Sequence, residues 1–127
     1  MGLTHKPHQT GLVMKAGMVE QEIQQFIATE YSVRHKKWPD AKDGVLWAMT
    51  ELAEVIELLM ARDGGWTRNN PQNKPQFDLR ALEEELGDVI WMCLVIAQGE
   101  RVSPIQAMIS KANRKLDEYY EAHPEEE

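Results

Sequence analysis

The apolar residues of this chain recur every three or four positions in four separate stretches. The first stretch lies within residues 17–37, and its apolar positions are Val19, Ile23, Phe26, Ile27 and Tyr31. This spacing places the side chains on one face of an α-helix. Trp38-Pro39 ends the predicted helix, because the residue before a proline disfavours helical geometry. Residues 1–16 show no period, and we expect a flexible N-terminal tail there.

A second helix is predicted to run to Arg62, and either Asp40 or Asp43 has the side chain of an N-cap. Its main apolar stripe is Val45, Met49, Leu52, Ile56, Leu59 and Met60. A glycine pair ends this helix. Residues 64–77 are polar and rich in asparagine and proline, so we expect a surface loop.

The third helix is predicted to begin with Asp78 as its N-cap and with Phe77 packing on Leu82 as a hydrophobic staple. Gly99 is predicted to stop it. Its second half, residues 89–97, is apolar on all sides. A protein of 14.6 kDa rarely buries a helix completely, so we expect a partner subunit to cover part of this helix.

The fourth helix opens on a capping box of Ser103 and Gln106, with Pro104 at the first helical position. Its apolar face consists of Ile105, Met108, Ile109, Ala112, Leu116 and Tyr119 or Tyr120. Residues 122–127 are predicted to form an acidic, solvated C-terminal tail. Since no stretch alternates as a β-strand does, we predict an all-α fold, most simply an antiparallel four-helix bundle over residues 17–121. Apolar helix faces are expected to join copies into a homodimer or a homotetramer.

Composition narrows the range of partners. The net charge of −7 argues against a nucleic-acid duplex and against an anionic membrane surface. The longest apolar run is about half the length of a membrane span, and we find no signal peptide. Cys93 is the only cysteine, so no intramolecular disulfide forms, and we expect a small buried side chain in a cytoplasmic protein.

Two acidic pairs carry the candidate chemistry. Glu51 and Glu54 lie on the second helix, and Glu85 and Asp88 lie on the third, each pair with i, i+3 spacing. Each pair therefore shares a helix face with residues that we expect to be buried. If the two helices pack together, four carboxylates converge and repel one another. A hard divalent cation relieves that repulsion, and all-oxygen ligation favours Mg²⁺, Mn²⁺ or Ca²⁺ over zinc or copper.

Other interpretations of these acids are weighed against a metal site. The simplest is a charged bundle in which the acids form a solvated face. A ferritin-like di-iron site is set aside because all four histidines lie outside the acidic helices. No twelve-residue acidic loop of the EF-hand type and no Walker-type glycine loop occurs in the sequence.

Further candidates concern substrate contacts. Lys111, Arg114 and Lys115 on the fourth helix are candidate phosphate contacts, although an ordinary basic solvated face would look the same. His35, Trp38 and Trp66 are candidates for stacking on or bonding to a base. Trp66 and Arg68 lie in the loop, where they could close over a substrate. Trp47 and Trp91 are expected in the core.

Two segments, residues 46–57 and 82–90, resemble the motifs of the MazG-type family of all-α nucleoside triphosphate pyrophosphohydrolases. The pattern of that family is EExxE, a spacer, and then ExxD. The segment Asn113-Arg-Lys-Leu116 resembles the last helix of the family, so the similarity covers roughly residues 18–124. The sequence ELGD before an apolar helix is the more specific part of this resemblance.

The acids that match the two motifs are Glu51, Glu54, Glu85 and Asp88. Thr50 stands where the family has its first glutamate, so a shifted alignment that pairs Glu54 with Glu57 also stays open. The resemblance implies that Mg²⁺ bound by the acids supports hydrolysis of a (deoxy)nucleoside triphosphate to the monophosphate and pyrophosphate. From these parts we expect Glu51 or Glu54 to act as the catalytic base that accepts a proton from the attacking water.

The resemblance also bears on which residues bind substrate and on which other functions are possible. Asn113 and Lys115 match polar positions of the family's last helix, which implies that they bind substrate. A phosphoribosyl-ATP pyrophosphohydrolase would keep the metal site and change the substrate. The alternative from a different class is a non-enzymatic helical interaction module whose third helix docks a partner.

Overall fold

The computed structural model describes residues 10–34, 37–64 and 76–126. The elements in these ranges are α1 (Thr10–Arg34), α2 (Ala41–Arg62), α3 (Leu79–Glu100), α4 (Pro104–Ala122) and a 3-10 turn (Pro124–Glu126). No strand occurs among the described residues, so the all-α prediction is confirmed. The predictions for residues 1–9, His35, Trp66 and Arg68 concern positions outside these ranges.

The helices α2 and α3 form an antiparallel pair. At one end, a Cβ built on Gly44 would lie 2.6 Å from Cγ1 of Ile96, so the two backbones approach closely. At the other end, the Arg62 guanidinium lies 5.6 Å from the centre of the Phe77 ring, just before α3 begins. The start of α2 therefore lies beside the end of α3, and their middle turns face each other.

The predicted aspartate caps of these two helices are confirmed. Oδ1 of Asp40 accepts a hydrogen bond of 2.9 Å from the backbone N–H of Asp43. Oδ1 of Asp78 accepts one of 2.6 Å from the backbone N–H of Ala81. Each side chain satisfies a backbone donor that has no partner inside its own helix.

The core lies between α1 and α3, and its buried residues are Ile27, Tyr31, Met92, Leu94 and Val95. Trp38 packs against this core, and its Nε1–H donates a hydrogen bond of 3.2 Å to the carbonyl oxygen of Val95. A Cβ built on Gly99 would lie 2.8 Å from Nε1 of Trp38. Gly99 was therefore wrongly predicted as a helix stop, because α3 continues to Glu100 and the glycine makes room for an indole.

A carboxylate on α1 caps α4. Glu20 is 1% exposed, and its two oxygens accept hydrogen bonds from the backbone N–H groups of Ile105 (2.7 Å) and Gln106 (3.0 Å). The side chain of Ser103 makes no capping hydrogen bond, so the predicted capping box is wrong. Glu20 caps the helix instead, although it lies 85 and 86 residues before Ile105 and Gln106 in the sequence.

The helix α1 begins earlier than predicted. It starts at Thr10 instead of Gly17, so residues 10–16 are helical and do not belong to a tail. Packing explains the difference, because Ala16 is buried and a Cβ on Gly17 would lie 2.8 Å from Nε2 of Gln106. Contact with α4 supports this turn of α1, where the apolar period is weak.

The face of α2 that carries Glu51 and Glu54 is buried, as expected, and its buried residues are Gly44, Val55, Leu58 and Ala61. The predicted main apolar stripe, by contrast, is mostly exposed, at Val45, Met49, Leu52 and Ile56. Cys93 is exposed rather than buried, because it lies on a side of α3 that the described helices leave uncovered. No helix in the described parts of the chain combines the length and apolarity needed to cross a membrane.

Candidate metal centre

Four carboxylates meet where the middle turns of α2 and α3 face each other. One oxygen from each of Glu51, Glu54, Glu85 and Asp88 lies within 4.8 Å of the others. The antiparallel register produces this meeting, because the i, i+3 spacing turns both acids of each helix toward the same neighbour. These residues are the four-acid cluster. Their convergence matches the expectation from the sequence, whereas their roles as ligands and catalysts stay predictions.

Mutual repulsion and burial perturb the cluster. A hydrogen bond with Glu54, followed by burial and the neighbouring carboxylates, raises the pKa of Glu85 from 4.5 to about 7. Burial, followed by the charges of Glu54 and Asp88, raises the pKa of Glu51. In both cases the surroundings disfavour the charged form of the carboxyl group. A bound cation would oppose this effect.

One oxygen of the cluster has no partner. Oε2 of Glu85 is buried and accepts no hydrogen bond within the described structure. A buried carboxylate oxygen without a donor is unfavourable, and cation ligation is one way to satisfy it. The donor set is composed of carboxylates alone, which suits a hard divalent ion such as Mg²⁺ or Mn²⁺. The residues of the four-acid cluster therefore fit a metal ion.

The neighbouring positions on α2 bear on the alternative alignment. Thr50 is exposed, and its hydroxyl donates a hydrogen bond of 3.2 Å to the carbonyl oxygen of Leu46. Glu57 is partly buried, but the four-acid cluster contains Glu51 in its place. This geometry favours the pair Glu51 and Glu54 over the shifted pair.

Trp38 and the predicted substrate contacts on α4 belong to other parts of the fold than the cluster. Trp38 packs on Tyr31 with ring centroids 4.6 Å apart, and its partner Val95 lies about 10 Å along α3 from Asp88. The predicted substrate contacts on α4 are Lys111, Asn113, Arg114 and Lys115, and α4 packs mainly against α1. Contacts of these residues with substrate stay predictions.

The structure also shows what the sequence reasoning missed. Trp47 was expected in the core, but it is 48% exposed. The available signal was its position four residues before Glu51, which places both on one helix face. Glu20 was missed as well, and no local pattern marks it, because its partners lie on a different helix.

A comparison with known proteins assigns a family to the segment that contains these acids. Residues 42–122 match the family model described as the MazG nucleotide pyrophosphohydrolase domain. This segment is more than half of the 127-residue chain and contains the whole four-acid cluster. Neither a curated protein nor a solved structure matches the chain.

Proposed function

The chain belongs to the MazG nucleotide pyrophosphohydrolase domain family, and from that premise we propose that it hydrolyses a (deoxy)nucleoside triphosphate to the monophosphate and pyrophosphate with Mg²⁺. The observation that carries the proposal is the four-acid cluster with its unpartnered buried oxygen on Glu85. Glu30 has a similar oxygen but lies outside the cluster, so the convergence of four carboxylates within 4.8 Å is what favours a metal site over a solvated charged face or a non-enzymatic module.

The carboxylates of the cluster would bind the metal ion, and one of them would accept the proton of the attacking water. A divalent cation bound by these carboxylates would supply charge neutralisation for the phosphates and lower the pKa of a bound water. Glu54 is exposed, so its carboxylate is accessible to a water molecule. We assign the general base to Glu54 or Glu51, which accepts the proton as the water oxygen bonds to phosphorus and pyrophosphate leaves.

Substrate contacts outside the cluster are part of the proposal. The cationic side chains of Lys111, Arg114 and Lys115 suit the phosphates, and the Asn113 amide suits hydrogen bonding. For the base we retain His35 and Trp38 as candidates from the sequence.

We also propose that the protein is a cytoplasmic homodimer or homotetramer. The support is the exposed apolar stripe of α2, formed by Val45, Met49, Leu52 and Ile56 at 48–60% exposure each. A second copy that covers this stripe would remove it from water. Light scattering at micromolar concentration tests assembly, and a monomer mass would contradict it.

The activity is tested by incubating the protein with a nucleotide panel and Mg²⁺ or Mn²⁺, scoring pyrophosphate separately from orthophosphate. The panel includes phosphoribosyl-ATP, so the alternative phosphoribosyl-ATP pyrophosphohydrolase activity is measured in the same experiment. We expect pyrophosphate and a monophosphate as the products. No turnover of any phosphoanhydride, together with no Mg²⁺ or Mn²⁺ binding by calorimetry, would support the interaction module instead.

A further inference from the structure

A half-exposed tryptophan lies on the acidic face of α2. Trp47 is 48% exposed and precedes Glu51 by one helical turn. At about 100° per residue, Trp47 lies about 40° around the helix from Glu51 and about 20° from Glu54. The helical rise separates Trp47 from Glu51 by about 6 Å along the axis. An indole ring therefore flanks the four-acid cluster.

The acidic face of α2 is covered by α3 on both sides of the four-acid cluster. Val55 and Leu58 follow Glu54 and are only 6% and 4% exposed. Gly44, one turn before Trp47, is also buried, against Ile96 of α3. Trp47 itself is half-exposed, so it is an apolar side chain on this face that a molecule held at the cluster by its phosphates can reach.

The three described tryptophans differ in their surroundings. Trp38 packs on Tyr31 at a centroid distance of 4.6 Å, and Trp91 meets Phe26 edge-on at 6.2 Å. Among the described residues, no aromatic ring lies against Trp47. Of these three tryptophans, only Trp47 combines high exposure with a position next to the four-acid cluster.

We propose that Trp47 stacks on the base of the nucleoside triphosphate whose phosphates the four-acid cluster holds. This inference rests on the proposed function. The base lies a sugar's length from the phosphates, which suits a ring one turn away from the carboxylates. Every base has a π-face, so stacking gives affinity for a base with little choice between bases.

The test compares three variants with the wild-type protein. Trp47→Leu removes the ring, Trp47→Phe keeps one, and Val33→Ala is the control, since Val33 is 77% exposed on α1, outside the four-acid cluster and the apolar stripe of α2. The measurements are kcat and KM for a nucleoside triphosphate, and the inhibition constant of inorganic tripolyphosphate, which has no base. We expect Trp47→Leu to raise KM about 5- to 150-fold with little change in kcat. The inhibition constant of tripolyphosphate should not change in Trp47→Leu. The other two variants should have kcat and KM values close to those of the wild type.

The outcomes separate this inference from the proposed function. If the wild-type protein turns over its substrate and Trp47→Leu has the same KM, the stacking proposal is wrong and the proposed pyrophosphohydrolase activity stands. An equal rise in the tripolyphosphate constant would also overturn it, because the substitution would then act on the phosphate site. If the wild type hydrolyses no nucleoside triphosphate, both proposals are wrong. Should Trp47→Leu misfold by circular dichroism, Trp47→Gln is judged by the same measurements.

Discussion

Removing the charge of Glu85 should stabilise the metal-free protein. The hydrogen bond with Glu54, burial and the adjacent carboxylates raise the pKa of Glu85 from 4.5 to about 7. Above pH 7 the folded protein must therefore hold an ionised group that its surroundings disfavour. Glu85→Gln has no such charge at any pH, so it mimics the protonated state.

The magnitude follows from the two pKa values. A rise from 4.5 to about 7 corresponds to at most about 3 kcal/mol of unfolding free energy. Glu85 is only partly buried, and screening by solvent reduces this to about 1–2 kcal/mol. In a chain of this size, we expect Glu85→Gln to raise Tm by about 3–8 °C at about pH 8.

The sign of the pH dependence is fixed by the direction of the shift. As the pH falls through 7, folded wild-type protein takes up a proton on Glu85 while the unfolded chain stays ionised. The wild type therefore gains stability as the pH falls, and below about pH 4.5 this contribution is complete. The advantage of Glu85→Gln should be largest at about pH 8 and disappear near pH 4.5.

Thermal unfolding in a chelator and in Mg²⁺ measures both effects. Mg²⁺ should raise the Tm of the wild type more than that of Glu85→Gln, because a ligand that binds only the folded state stabilises it by mass action. Glu83→Gln is the control, since Glu83 is exposed on the same helix and lies outside the four-acid cluster. A Tm difference that is independent of pH, or an equal response of both proteins to Mg²⁺, would refute the reasoning.

Three further predictions follow from other contacts. Glu54→Gln and Asp88→Asn should each lose most pyrophosphohydrolase activity with an unchanged circular dichroism spectrum; retained turnover in both would contradict the assignment of the cluster. Glu20→Ala should lower the unfolding free energy by about 2–4 kcal/mol in urea titrations, because two backbone donors lose a charged acceptor, and Glu20→Gln should lose less. Gly44→Ala should lower the unfolding free energy by about 1–2 kcal/mol, because its Cβ would lie 2.6 Å from an α3 side chain. Gly87→Ala should raise the unfolding free energy by up to about 1 kcal/mol, because nothing lies within 4 Å of its Cβ. Equal effects of the two substitutions would contradict the close packing at Gly44.

The sequence determined the features that depend on neighbours within one or two helical turns. Asp40 and Asp78 cap their helices because an aspartate reaches a donor three residues ahead. The i, i+3 pairs of the four-acid cluster could be found in the same way, because the spacing alone places both carboxylates on one face. Their meeting needed only that α2 and α3 pack side by side.

Tertiary structure decided which face of each helix is covered. On α2 the residues around Val55 face α3, while the longer apolar stripe that includes Leu52 stays exposed. Apolar periodicity identifies a helix face but does not say which neighbouring helix covers it. Gly99 and Glu20 acquire their roles from Trp38 and from the start of α4, both remote in sequence. A steric gap and a cap supplied by another helix exist only after the helices have docked, and so no local pattern could predict them.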